Sequence, residues 1–250
     1  KLEAYPAKVY TNTIKGVGQL SVRLKDAEVL VLIRERTQLT RQLLEKLPKL
    51  KLISQTGKIG SHVDIAACTE RGIAVAEGSG SPIAPAELTW ALILGIHKRL
   101  IDQNALLTQN GWRNQNSLLP ILHGQTLGLI GLGQIGSKVA KVAMAFGMKV
   151  LTWSPNMTAE RAQAVGAQSV TLDELLQQAN FVSLHIVPSP TTKGLINQEK
   201  LALMRQDAIL INTSRAILVD TEALVLALNN HQIAGAAVDV FDIEPMPSDH

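Results

Sequence analysis

The sequence has almost no sulfur chemistry available to it. Cys68 is its one cysteine, which excludes an internal disulfide and fits a reducing cytoplasm. Its expected role is a small buried filler on a helix. Aromatic residues make up 3% and charged residues 18%, against 46% hydrophobic residues, a profile of a soluble α/β protein and not of a disordered chain. No uninterrupted apolar run reaches the roughly 18 residues of a membrane span. The opening Lys1-Leu2-Glu3-Ala4-Tyr5-Pro6 holds no apolar signal core. A net charge of +3 is too small to announce a nucleic-acid partner. The denser basic stretches, Lys46 to Lys51 and Lys98-Arg99, read as helix termini where cations complement the dipole. The chain starts without methionine and stops at Ser248-Asp249-His250 with no closing helix, so it reads as a fragment.

What is present is an alternation of strand and helix signals, in two stretches. Short apolar runs at Val29–Ile33, Leu50–Ser54 and Ile73–Ala76, separated by helix candidates over Thr40–Leu47 and Val63–Glu70, predict a small βαβαβ unit. Such parallel strands are expected to be buried on both faces. Residues 78–84 form a loop by composition. Pro85 is expected at the first helical position of an all-round apolar helix to Leu100, and a second helical segment runs to Asn110 with Gly111 as its stop.

The second stretch predicts strands at Thr126–Ile130, Lys149–Trp153, Phe181–Ile186, Ala208–Asn212 and Ala236–Val240. Helices are predicted at Ile135–Phe146, Leu172–Gln178 and Thr221–Asn229. The fold class is therefore α/β with two doubly wound parallel-sheet units, a smaller flavodoxin-like domain over 1–84 and a Rossmann domain with a linking helix over 85–250. On the fragment reading, both are incomplete.

Gly131-Leu132-Gly133-Gln134-Ile135-Gly136 follows a strand and opens a helix, the setting that makes a GxGxxG pattern informative. Gly131 makes the tight turn, Gly133 admits a pyrophosphate, and Gly136 lets helix and strand pack closely. The amides of Gln134 and Ile135 lie at the helix N-terminus, where an anion is stabilised. Ile135, Val139, Val142 and Phe146 are expected on the buried face. The acidic residue that would accept from a ribose is missing after Trp153, where Ser154-Pro155-Asn156 stands. Ser154 or Asn156 offers weaker bonds, and Arg161 is the nearest arginine, so NAD is expected with NADP possible.

Asn212-Thr213-Ser214-Arg215 and Asp239-Val240-Phe241-Asp242-Ile243-Glu244-Pro245 end two further strands on the ligand-binding edge. With the glycine turn, His185-Ile186-Val187-Pro188 and Thr192, these runs resemble the D-isomer-specific 2-hydroxyacid dehydrogenase family. Arg34-Glu35-Arg36-Thr37, Gln55-Thr56-Gly57-Lys58, His62-Val63-Asp64, Ala86-Glu87-Leu88 and Gly111-Trp112 extend the resemblance over nearly the whole chain.

The resemblance implies an oxidoreductase that moves a hydride between a nicotinamide cofactor and a small 2-oxo or 2-hydroxy acid. Arg215 would hold the substrate's carboxylate and carbonyl. Glu244 would orient a catalytic histidine and raise its pKa. Asp239 would contact the nicotinamide carboxamide. Thr213, Thr192 and the segment around His185 and Val187 would line the cofactor. Amides at Thr56, Gly57 and Lys58 would receive the substrate carboxylate. The family's histidine is expected past the last residue of this chain, since His250 comes too early; His62, His97, His123 and His231 read as ordinary surface or loop residues. A homodimer is expected, built partly through the linking helices; no metal is expected. The alternative is a nucleotide-sensing regulator of the same fold, resembling the carboxy-terminal-binding co-repressors.

Overall fold

The computed structural model describes residues 6–12, 14–60, 62–109, 119–244 and 246–247. The chain falls into two compact units, Lys1–Ser81 and Pro82–His250.

In the first unit, α1 (Val17–Leu24), β1 (Val29–Leu32), α2 (Arg41–Leu44), β2 (Leu52–Gln55), α3 (Ile65–Glu70) and β3 (Ala74–Glu77) follow in order. The strands form one parallel sheet, β1-β2-β3, with Val29 opposite Leu52 and Leu52 opposite Ala74. Thr40 and Asp64 cap α2 and α3, their side chains accepting from Leu43 N and Ala67 N. Leu20, Leu43, Leu44, Ala67 and Cys68 from the helices make one cluster with Leu30 and Ile53 from the sheet. Packing on one face explains a departure from the expected two-sided burial: Leu30 is buried, while Val29 and Val31 are about half exposed.

The second unit opens with α4 (Ile83–His97) and α5 (Leu100–Thr108), and continues through β4 (Thr126–Ile130), α6 (Gln134–Ala145), β5 (Lys149–Trp153), α7 (Ala159–Gln163) and β6 (Gln168–Ser169). It ends with α8 (Leu172–Gln178), β7 (Phe181–Leu184), α9 (Gln198–Leu203), β8 (Ile209–Asn212), a 3-10 turn (Ala216–Leu218), α10 (Thr221–Asn229) and β9 (Gly235–Val238). The sheet is parallel, in the order β6-β5-β4-β7-β8-β9. That order reverses at β4, where a doubly wound sheet opens a crevice at its carboxyl edge. One core cluster joins α4, α6 and α7 to one face, and another joins α8, α9 and α10 to the other. β7 and β8 are buried along their whole length, as strands covered on both faces must be.

Three further expectations change. Pro85 is the third residue of α4, not the first. A proline is tolerated there because first-turn N–H groups have no intrahelical acceptor. The buried stripe of α6 is Gly136, Val139, Ala140 and Ala143, with Val142 and Phe146 at its exposed margin. Small side chains let the helix approach the sheet, and Phe146 instead meets the Trp90 ring at 5.1 Å. His62 and His97 are buried, not superficial. The expected stop at Gly111 lies outside the described residues.

Candidate active site

The carboxyl ends of β4, β5, β7, β8 and β9 share one edge, and cross-strand bonds tie their loops together. Gly131 N donates to Trp153 O (2.8 Å), His185 N to Ile130 O (2.8 Å) and Asp239 N to Asn212 O (3.2 Å). Ser214 Oγ donates to Ile186 O at 2.7 Å.

The glycine turn is dictated by sterics. Gly131 has φ +104°, and a Cβ there would stand 2.6 Å from His185 O. A Cβ on Gly136 would stand 2.2 Å from Gly131 O. Gly133, by contrast, has nothing within 4 Å of its Cβ position. Two glycines thus close the turn from within, and the third leaves open space before the first amides of α6, including those of Gln134 and Ile135. That space fits a pyrophosphate.

His185 stands beside this turn, its Nε2 2.9 Å from Ser183 Oγ. Burial pushes its pKa down to about 4, so the ring is neutral near pH 7 and suits contact, not proton donation. Val187 is 84% exposed on the following loop. Thr192 is buried, and its Oγ1 accepts from Ser189 N (2.8 Å), closing that loop from inside.

At the end of β8, Asn212 builds the turn that carries Arg215. Its Oδ1 accepts from Ser214 N (3.0 Å) and its Nδ2 donates to Arg215 O (3.0 Å). Thr89 Oγ1 donates to Pro85 O (2.8 Å), so its 2.8 Å contact with Thr213 Oγ1 has Thr213 as donor. Thr213 therefore offers a ligand lone pairs only. Arg215 is exposed, with Nη1 2.8 Å from Ser214 O. Beyond β9, Asp239 is exposed, Asp242 accepts from Thr221 Oγ1 (2.7 Å), and Glu244 Oε1 accepts from Phe241 N (3.4 Å).

Residues 90–250 match the NAD binding domain of the D-isomer specific 2-hydroxyacid dehydrogenases. The chain belongs to the D-isomer-specific 2-hydroxyacid dehydrogenase family. It is 37% identical to a D-3-phosphoglycerate dehydrogenase of Synechocystis, over 96% of this chain and 45% of that protein. A phosphoglycerate oxidoreductase structure from Vibrio cholerae superposes with TM-score 0.85 at 40% identity, over 96% of this chain and 78% of that one. A D-lactate dehydrogenase of Aquifex aeolicus, complexed with NAD and lactic acid, gives TM-score 0.80 at 37% identity, over 89% and 67%. The chain spans about half the length of the curated relatives it matches first.

The loop expected to receive substrate in this family lies in the first unit, after β2. Gly78 N donates to Gln55 O (2.9 Å) and Gly57 O (3.1 Å), and a Cβ on Gly78 would stand 2.5 Å from Thr56 O. The Lys58 ammonium pairs with Glu77, whose other oxygen accepts from Ile59 N at 3.1 Å. Those bonds, the lysine first, hold the Glu77 carboxyl below its usual range. Thr56, Gly57 and Lys58 thus sit on a braced loop, with the lysine charge engaged beside it. Behind the loop, buried His62 meets Gln55 Oε1 through Nε2 at 3.3 Å, and burial pushes its pKa down. At the end of α4, His97 packs edge-on against Phe181 at 5.1 Å, with its pKa also lowered by burial. Of the supports Glu77, Gly78, Asn212 and Thr89, three carried no sequence signal. Only Asn212 carried a signal, as a residue that closes turns with its own side chain.

Proposed function

We propose that the protein is an oxidoreductase that transfers a hydride between a nicotinamide cofactor and a small 2-oxo or 2-hydroxy acid of the D series. The observation that carries this reading is the turn in which Gly131 and Gly136 admit no side chain while Gly133 faces open space, on the sheet edge that also carries Arg215. The NAD-binding family match supports the cofactor.

When bound, the nicotinamide supplies the hydride. The protein's part is placement and charge. The amides of Gln134 and Ile135, at the N-terminal start of α6, would hold the pyrophosphate. Thr213, already donating to Thr89, would accept from the cofactor, and Asp239 would contact the nicotinamide carboxamide. Ser154, His185, Val187 and the loop closed by Thr192 would line the rest of the cofactor.

Arg215 holds the substrate carboxylate through a two-pronged grip and stabilises negative charge growing on the carbonyl oxygen. Glu244 orients and charges the histidine that protonates that oxygen. None of the described histidines is proposed for that step. In the first unit, Thr56, Gly57 and Lys58 are the residues proposed for substrate binding, through their amides. Retention of both Arg215 and Glu244 favours an enzyme over a regulator.

A homodimer formed partly through α4 and α5 is proposed, on the strength of exposed Ile83, Leu88, Leu100, Ile101 and Leu107. No helix among the described residues is long and apolar enough to cross a membrane. A cytoplasmic setting is proposed, in keeping with the free, buried thiol of Cys68.

The deciding test is nicotinamide oxidation by the complete protein against a panel of 2-oxo acids. Turnover of at least one panel member is expected. Nucleotide binding without turnover of any would move the assignment to the regulator.

A further inference from the structure

The end of β5 is where a Rossmann fold inspects the 2′ position of the adenosine ribose. Trp153 is pinned there by its bond to Gly131 N, and the partly buried Ser154 follows in place of a carboxylate. Two charged groups are tied to its surroundings. On α7, Arg161 Nη1 donates to Asn156 O at 2.8 Å, which fastens the guanidinium to the loop leaving β5. Among the described residues no carboxylate pairs with Arg161, whereas Arg41 and Arg205 are paired with Glu70 and Asp207. One of its five N–H groups is spent on the carbonyl, and the remaining fork suits a phosphate.

Glu174 of α8 lines the same hollow as Ser154, Pro155 and Met157. Its Oε2 accepts from Thr171 N (2.9 Å) and Thr171 Oγ1 (2.8 Å), and these bonds keep its pKa below the usual carboxylate range. The hollow thus has a fixed carboxylate and the neutral Ser154 in its lining, and a cation tethered to Asn156, the residue between its lining residues Pro155 and Met157.

We propose that Arg161 is the residue that admits a 2′-phosphate, so that the protein binds NADPH as well as NADH, with Glu174 as the opposing charge. This rests on the dinucleotide-binding reading above and adds to it the choice between the two cofactors. A charge-assisted bond from Arg161 offsets the repulsion from Glu174, and Ser154 neither grips nor repels. The two affinities should therefore lie within about a hundredfold of each other.

The test is calorimetric titration of the protein with NADH and with NADPH, which reads binding without turnover. Arg161→Gln should weaken NADPH by about tenfold and leave NADH within about twofold. The side chain is exposed, so the fold should tolerate the change. Glu174→Gln keeps the capping box of α8, because glutamine serves at that position, and should tighten NADPH alone. An Arg161→Gln protein that binds NADPH as the wild type does, or that loses both nucleotides equally, overturns the assignment. So does a wild type that binds NADH and ignores NADPH. If the wild type binds neither nucleotide, the dinucleotide reading falls first and this inference falls with it.

Discussion

Replacing Gly136 by alanine puts a methyl carbon 2.2 Å from the carbonyl oxygen of Gly131. Both atoms belong to backbone or lie one bond from it, so no rotamer change can separate them. The turn and the start of α6 would have to part by about 1 Å, in a place where interiors tolerate little extra volume. Overpacking of this kind costs about 1–3 kcal/mol, a substantial share of a stability of roughly 5–15 kcal/mol.

Gly133→Ala is the matched control. Its Cβ meets nothing within 4 Å, and its backbone, at φ −83° and ψ −156°, is open to alanine. That variant should keep the wild-type denaturation midpoint and still lose nucleotide affinity by about tenfold or more, because the methyl stands where the phosphates approach. Urea denaturation and nucleotide titration of both proteins separate the two effects. A Gly136→Ala protein with an unchanged midpoint would refute the packing argument. A Gly133→Ala protein that binds NADH normally would refute the placement of the pyrophosphate.

Further outcomes follow from the same geometry. On the proposed activity, Arg215→Gln should lower kcat/KM by about a hundredfold or more while the NADH affinity holds; near-normal turnover of a good substrate would remove Arg215 from the chemistry. His185, with its pKa lowered from 6.5 to about 4, binds a proton more readily unfolded than folded. Its contribution is full above about pH 6.5 and is lost as pH falls toward 4, up to about 3 kcal/mol, and His185→Gln should flatten that part of the stability profile. Light scattering at micromolar concentration should return a dimer mass for the complete protein, and a monomer mass would count against the role given to α4 and α5.

The larger parallel sheet could be read from the chain because its signals are local. Leu127 to Ile130, Val150 to Trp153 and Phe181 to Leu184 are apolar runs of strand length, and punctuation by glycine and capping residues marks the helices between them. The glycine turn was equally legible, since its chemistry lies within six consecutive residues. Short elements were not. α1, α7, α9 and the two-residue β6 lacked a long periodic pattern, and helices of this length owe their stability to neighbours and not to propensity.

The Ile135-Val139-Val142-Phe146 stripe was legible as hydrophobic, but its direction was not. Only the sheet decides that Gly136, Ala140 and Ala143 face inward, because close approach rewards small side chains there. Tertiary structure alone also buries His62 and His97, ties Thr213 to Thr89 across 124 residues of chain, and sets Glu77 beneath the loop after β2. It likewise fastens Arg161 to the loop leaving β5 and brings Glu174 into the hollow at the end of that strand. Sequence determines what depends on neighbours along the chain: strand length, helix caps, and glycine where no Cβ fits. Which side chains meet across a sheet edge depends on strand order and packing distance, and those exist only in the folded protein.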